Sequence, residues 1–184
     1  MELFIVTSNK HKVEEARAVF SEYGIEIKQI ADEKIETKEM DLLETAEFNA
    51  KMYNEKYNKP VIVDDTGVFF SAFPNFPGNH PKLIFELLGY KGLLKLLDGE
   101  DRNAEFRTVV SYCDQGIVTT FSGSLKCIAA SQVYDKDKDV LPYERILMLD
   151  GKPISGISRD EKNKISHRAI AFRKVADFLT QKAR

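Results

Sequence analysis

Cysteine is scarce in this chain. Cys113 and Cys127 are the two examples, and both stand in apolar or mixed strand-like segments rather than in a CxxC pair. Such placement argues against a zinc ribbon or a disulfide framework and suits two reduced structural thiols, with no metal held on sulfur. A surplus of one charge is also missing: 27 Lys+Arg against 29 Asp+Glu leave a net charge of -2 and a pI of about 6.0. No overall field therefore draws the chain to nucleic acid or to anionic lipid. No run approaches the roughly 18 consecutive apolar residues of a membrane span. The opening Met1-Glu2-Leu3-Phe4-Ile5-Val6-Thr7 reads as a strand and lacks the basic stretch of a secretory signal. A cytoplasmic protein that binds neither membrane nor nucleic acid is the expectation. The patterns GxxxxGK[ST], GxGxxG, HExxH and GxSxG are all absent, which removes the fingerprints of P-loop, Rossmann, zincin and hydrolase-elbow chemistry. His11, His80 and His167 have none of the close spacings of a structural zinc site.

What is present is a globular balance. Hydrophobic residues make up 43% and charged residues 30% of 184 residues, enough to bury a full core, and residues 1–184 read as a single domain with two lobes. Glu2 to Thr7 predicts a strand, and Ser8-Asn9 caps a helix whose Val13, Ala16, Val19, Phe20 and Tyr23 share one face. Gly24 closes it, and Ile25-Glu26-Ile27 begins a second strand. A polar stretch from Ala31 to Met40 leads to a helix carrying Leu42, Ala46, Ala50, Tyr53 and Tyr57. Val61-Ile62-Val63 is the β-branched run of a strand buried on both faces, and Asp64-Asp65-Thr66-Gly67 is expected to end it. Ligands collect at that edge of an open α/β sheet.

Beyond the turn-rich Phe73 to Gly78, two short helical patterns are punctuated by Gly89 and Gly99. Phe106 to Ala130 reads as antiparallel hairpins broken at Gly116 and Gly123. Asp135 to Asp139 is a solvated loop, and Ile165, Ala169, Phe172, Val175, Ala176 and Leu179 mark a final amphipathic helix. The expectation is a mixed α/β sheet with flanking helices, elongated by a smaller β-rich lobe, with an active-site cleft between the lobes.

Three groupings bear on chemistry. Thr7-Ser8-Asn9-Lys10-His11-Lys12 places an amide and two ammonium groups at a helix N-terminus, where free N–H groups attract phosphate. A simple cap with solvated lysines is the alternative, although lysine there opposes the helix dipole unless an anion is near. Glu36 with Asp64 and Asp65 supplies hard oxygens of the kind Mg²⁺ takes together with substrate phosphates, and one carboxylate can orient a water for in-line attack at phosphorus. A plain Asp-Gly turn is the competing reading. Lys162-Asn163-Lys164-Ile165-Ser166-His167-Arg168 forms a cationic helix start able to grip phosphate or the edge of a base, or simply to face water.

These pieces carry a resemblance. Thr7-x-Asn9-x-x-Lys12, Val63-Asp64-Asp65-Thr66-Gly67, Phe76-Pro77-Gly78, Phe121-Ser122-Gly123 and Lys162…Ser166-His167-Arg168 together resemble, in this order and over nearly the whole chain, the inosine triphosphate pyrophosphatase family of noncanonical purine NTP pyrophosphatases. The resemblance implies a two-lobed α/β homodimer that uses Mg²⁺ to hydrolyse ITP, dITP or XTP to the monophosphate and pyrophosphate. It implies that Thr7, Asn9, Lys12 and Lys51 bind the triphosphate, that Glu36 and Asp65 hold metal, and that Asp65 is the catalytic carboxylate. Lys162, His167 and Arg168 would contact the nucleotide, the last two reading the oxo group of the base. A donor facing that position rejects the amino group of adenine, which would leave it unpaired.

Two segments depart from the family pattern. Where the family has Phe-Gly-Tyr/Trp-Asp-Pro-x-Phe, this chain has Leu141-Pro142-Tyr143-Glu144-Arg145-Ile146-Leu147. Tyr143 and Glu144 keep base-contacting positions, but Leu141 removes a stacking surface worth on the order of 1 kcal/mol. A related pyrophosphatase with another NTP preference, or a nucleotide-binding module with weakened catalysis, are therefore the rival readings. Around Glu36 the match needs a one-residue shift, which makes Glu39 a rival metal ligand.

Overall fold

A computed structural model describes residues 1–35 and 40–182, so Glu36 and Glu39, the two rival metal ligands, lie outside the described residues. The chain divides into two compact units. The first comprises Met1–Thr66, Thr108–Gly123 and the chain from Asn163 onward; the second comprises Gly67–Arg107 and Ser124–Lys162.

In the first unit, β1 (Glu2–Val6), α1 (Lys10–Ser21), β2 (Glu26–Ile30), α2 (Leu42–Tyr57) and the first part of β3 (Val61–Phe70) alternate along the chain. Both helices cross over to parallel strands, since β1 pairs in parallel with β2 and with β3. The strand order is β2-β1-β3-β5-β6, where β5 is Asn103–Asp114 and β6 is Ile117–Ala129. On one face of these strands Leu3, Ile5, Ile62, Val110 and Tyr112 pack against Val13, Phe20, Ala169, Phe172 and Val175 of α1 and the last helix, α5 (His167–Lys182). On the other, Val6, Val61, Val63 and Cys113 pack against Ala50 and Tyr53 of α2. Helix α2 starts with a reciprocal cap: Asp41 accepts from the Glu44 N–H, and Glu44 accepts from the Asp41 N–H, each at 2.9 Å.

In the second unit, β4 (Pro77–Gly78) lies antiparallel on β3, and β7 (Leu147–Leu149) and β8 (Lys152–Pro153) continue the order from β6. Helix α3 (Pro81–Leu96) is kinked at Gly89, whose φ of 58 is open to glycine at no steric cost. The expected punctuation of this helical stretch at Gly89 is therefore found. Phe70, Leu93, Leu97, Phe106, Ile146 and Leu147 form the core of this unit. A short helix α4 (Arg159–Ile165) and α5 complete the chain, so the sheet with flanking helices matches the expected fold class. No helix among the described residues is long and apolar enough to cross a membrane.

Two expectations fail. Strand β3 does not end at Val63 but runs on to Phe70, so Asp64 and Asp65 lie inside it and both are buried. A turn reading of Asp64-Asp65-Thr66-Gly67 underestimates what cationic partners can hold in a strand. Gly123 does not separate hairpins either, because β6 passes straight through it. A Cβ at that position would come within 2.1 Å of the His167 carbonyl oxygen and 2.8 Å of the Ala171 nitrogen. The glycine permits close approach of α5 rather than a turn. The β5–β6 turn is at Gln115-Gly116, where both φ values are positive.

Candidate active site

The parallel register fixes where the site can form. Ile5 of β1 lies opposite Ile62 of β3, so Asp64 stands level with Thr7, the first residue beyond β1. The carboxylates are mid-strand in β3 yet at the carboxyl edge of its parallel neighbour, the edge that binds ligands in such sheets. At that edge the Thr7 hydroxyl accepts the Asn9 N–H at 3.1 Å, and the Asn9 side chain caps α1 by accepting the His11 N–H at 3.0 Å. Gln29 of β2 donates to the Thr7 carbonyl at 2.9 Å. The helix N-terminus is thus anchored to two strands before any ligand arrives.

Successive side chains of a strand point to opposite faces. Asp64 accordingly faces α1 and α5. Its Oδ2 accepts from Lys12 Nζ at 2.8 Å and from Arg168 Nε at 3.2 Å, with the Asp64 side chain 1% exposed. Arg168 also donates to Glu15 at 2.7 Å and to Thr66 Oγ1 at 3.4 Å, and Thr66 shares a 2.7 Å hydrogen bond with Thr108 of β5. Burial pushes the Asp64 carboxyl up, but Lys12, Arg168 and Lys34 outweigh it and hold the group well below the usual carboxylate range. Burial pushes the Lys12 ammonium down despite Asp64. His167 is forced well below the ordinary imidazole value by burial first and by Arg168 second.

Asp65 faces the α2 side and pairs there with Lys34 from the chain between β2 and α2. This separates the two aspartates that the sequence placed in one acidic group: each serves a different face. Asp65, paired with the Lys34 ammonium, is one acidic group that the described residues offer a hard cation. The Lys34 ammonium already lies against it, so the carboxylate is compatible with a positive ion. No group of three or more His, Cys, Asp or Glu side chains converges among the described residues. Mg²⁺ is commonly held by one or two carboxylates with phosphate oxygens completing its shell, and this donor set fits that use.

The remaining sequence candidates fall in several places. Lys51 is exposed on α2. In the second unit, Glu144 accepts from Lys162 at 2.7 Å, joining two of the predicted contacts. Tyr143 sits in a short 3-10 helix, Pro142–Arg145, with its ring against Phe70 and Phe85 and its hydroxyl donating to the Pro81 carbonyl at 3.0 Å. It is built into the core there, and burial pushes its phenol far up. Sequence reasoning missed Glu15, Thr66, Asn49 and Lys34. Glu15 was findable, three residues after Lys12 and so on the same side of α1. Asn49 was findable too, as an amide on the buried face between Ala46 and Ala50. Lys34 had no signal, because it follows no helical or strand period.

Comparison with known proteins extends these observations. The sequence model of the Ham1 family matches residues 3–178. A dITP/XTP pyrophosphatase of Saccharolobus solfataricus is 34% identical over 95% of this chain and 92% of its own. That of Thermococcus kodakarensis is 35% identical over 98% of each. Among solved structures, a HAM1 protein from Coxiella burnetii superposes with a TM-score of 0.81 at 21% identity, covering 98% of this chain and 99% of its own. The Staphylococcus aureus Ham1 protein gives 0.77 at 22% identity over 99% and 100%. At these identities the solved structures speak to the fold.

Proposed function

The chain belongs to the Ham1 family, and from that premise we propose that it is a nucleoside triphosphate pyrophosphohydrolase acting on noncanonical purine nucleotides of the dITP, ITP and XTP type. The observation that carries the reading is the near full-length similarity to enzymes named dITP/XTP pyrophosphatases. The site geometry supports it, with a capped helix N-terminus and Lys12 beside a buried pair of carboxylates. The enzyme works as a single two-lobed domain over residues 1–184, as a homodimer in the cytoplasm.

In this mechanism Thr7, Asn9, Lys12 and Lys51 hold the triphosphate by N–H groups and ammonium charge. Asp65, with Glu36 or its rival Glu39, would hold Mg²⁺, which would supply charge neutralisation on the phosphate oxygens when bound. Asp65 orients the attacking water and takes up its proton as oxygen bonds to the α-phosphorus. The bond from that phosphorus to the bridging oxygen breaks, and the pyrophosphate leaves as Lys12 and Lys51 offset its growing charge. Asp64 acts from behind, fixing Lys12 and Arg168. His167 reads the base with Arg168 packed beside it, and Glu144 and Lys162 form the second base-contacting group, on a segment that Tyr143 anchors in the core.

The test is release of pyrophosphate and monophosphate from dITP, ITP, XTP, GTP, ATP and dUTP with Mg²⁺. Preferential cleavage of the first three is expected. Equal cleavage of all six would mean that Leu141 in place of an aromatic has relaxed base selection, and binding without turnover of any would overturn the enzymatic reading.

A further inference from the structure

Lys34 is not a dangling loop lysine. The short segment that carries it is fastened to α2 at three levels. At Ile35 the Asn49 side chain pairs with both backbone groups, accepting from N–H and donating to C=O at 2.8 Å each. At Glu33 the Tyr53 hydroxyl donates to the carbonyl. At Asp32 one carboxylate oxygen accepts from Tyr57 at 2.7 Å and from Lys56 at 2.6 Å. Asn49 is itself fully buried and also donates to the Thr45 carbonyl at 2.8 Å, so its amide cannot swing away cheaply. The result is a backbone held on both sides of residue 34.

From this frame the Lys34 side chain reaches Asp65 and ends in an ion pair whose two side chains are 12% and 7% exposed. Screening by water is weak at that exposure, so the ammonium repels a divalent ion brought to the same carboxylate. We propose that Lys34 is a resident cation at Asp65, and that a divalent ion gains this carboxylate only by displacing it. Lys34 thereby sets the cation affinity of the site. The inference rests on the reading above that Asp65 is a metal ligand, and it adds a residue to which no role in the reaction is otherwise assigned.

Competition of this kind has a thermodynamic signature without any nucleotide. Binding of Mn²⁺ as the probe is titrated by the electron spin resonance of the free ion, using the full chain as wild type, Lys34→Met, Lys34→Arg and the double variant Lys34→Met/Asp65→Asn. Lys34→Met should bind Mn²⁺ on the order of tenfold more tightly than wild type, within the usual range of coupling between two ligands. Lys34→Arg, which keeps the competing charge, should stay within about twofold, well inside that range. The double variant should lose the gain. Equal or weaker binding by Lys34→Met overturns the proposal, and so does a double variant that keeps the tighter binding, because the ion would then sit elsewhere. Thermal melting confirms that each variant is folded, and Lys34→Gln repeats the comparison with a polar side chain if methionine disturbs the segment. A wild type inactive on every nucleotide would overturn the functional reading alone, since the Mn²⁺ titration contains none.

Discussion

On the α1 and α5 side of β3, Asp64 is locked into the protein: one oxygen accepts from two cations, and Arg168 passes the connection on to Glu15 and Thr66. On the α2 side, one residue later, Asp65 meets a lysine delivered by a loop. The first arrangement joins two helices and two strands, so disturbing it disturbs the unit. The second depends on a fastened segment at the end of a sheet, and its partner can be exchanged without unpacking a core. Strand alternation thus sends two adjacent carboxylates of the same type to different faces, one joined to α1 and α5 and the other to a loop lysine on the α2 side.

The two faces should separate most widely at Asp65. Asp65→Asn keeps the shape and much of the packing while removing the charge, and turnover of dITP should fall by about a thousandfold or more, as for loss of a positioned catalytic base. Its melting temperature should fall by less than that of Asp64→Asn, because Asp64 holds two buried cations. A variant that keeps the wild-type rate would move the catalytic role elsewhere. Asp64→Asn should do the reverse in proportion: Lys12 and Arg168 are left with one buried carboxylate fewer, and breaking such a pair costs about 3 kcal/mol or more of stability. For a domain of this size that is a drop of roughly 10 °C in melting temperature. Urea unfolding of the two variants side by side decides the matter, and equal stability losses would erase the distinction between the faces.

Much of this arrangement is legible in the amino-acid sequence alone. The helical faces of α1, α2 and α5 follow from apolar spacing, and the anion-binding character of the β1–α1 junction follows from capping chemistry. Phosphate-binding candidates and the carboxylate pair are therefore visible in the residues themselves. The division of labour between Asp64 and Asp65 is not, because it requires knowing that β3 continues past Val63, and two adjacent aspartates with a glycine nearby look like a turn. What keeps them in a strand is cationic charge from residues 12, 34 and 168, scattered widely along the chain. Gly123 misleads for a related reason: a glycine demanded by an approaching helix has the same letter as one demanded by a turn. Tyr143 shows the opposite limit, since a motif position says nothing about whether a ring faces a ligand or a core.

The smallest effect belongs to the Asp64 side. His167 opens α5 next to Arg168, and its imidazole is held well below the ordinary value because burial disfavours the charged form and Arg168 repels it. Unfolded, it titrates near 6.5. Below that pH the unfolded chain takes up a proton that the folded chain refuses, so stability is full above about 6.5 and declines as the pH falls. Between pH 6.5 and 5.5 the loss should be about 1 kcal/mol. Asp64, whose folded value is lowered, acts in another window: its contribution is complete above the unfolded carboxylate value near 3.9 and fades only as the pH falls through the lower folded value. Urea midpoints measured from pH 7.5 to 5 should therefore slope in wild type and in Asp65→Asn and flatten between 6.5 and 5.5 in His167→Asn. A slope that survives in His167→Asn would show that the imidazole is not the group taking up the proton.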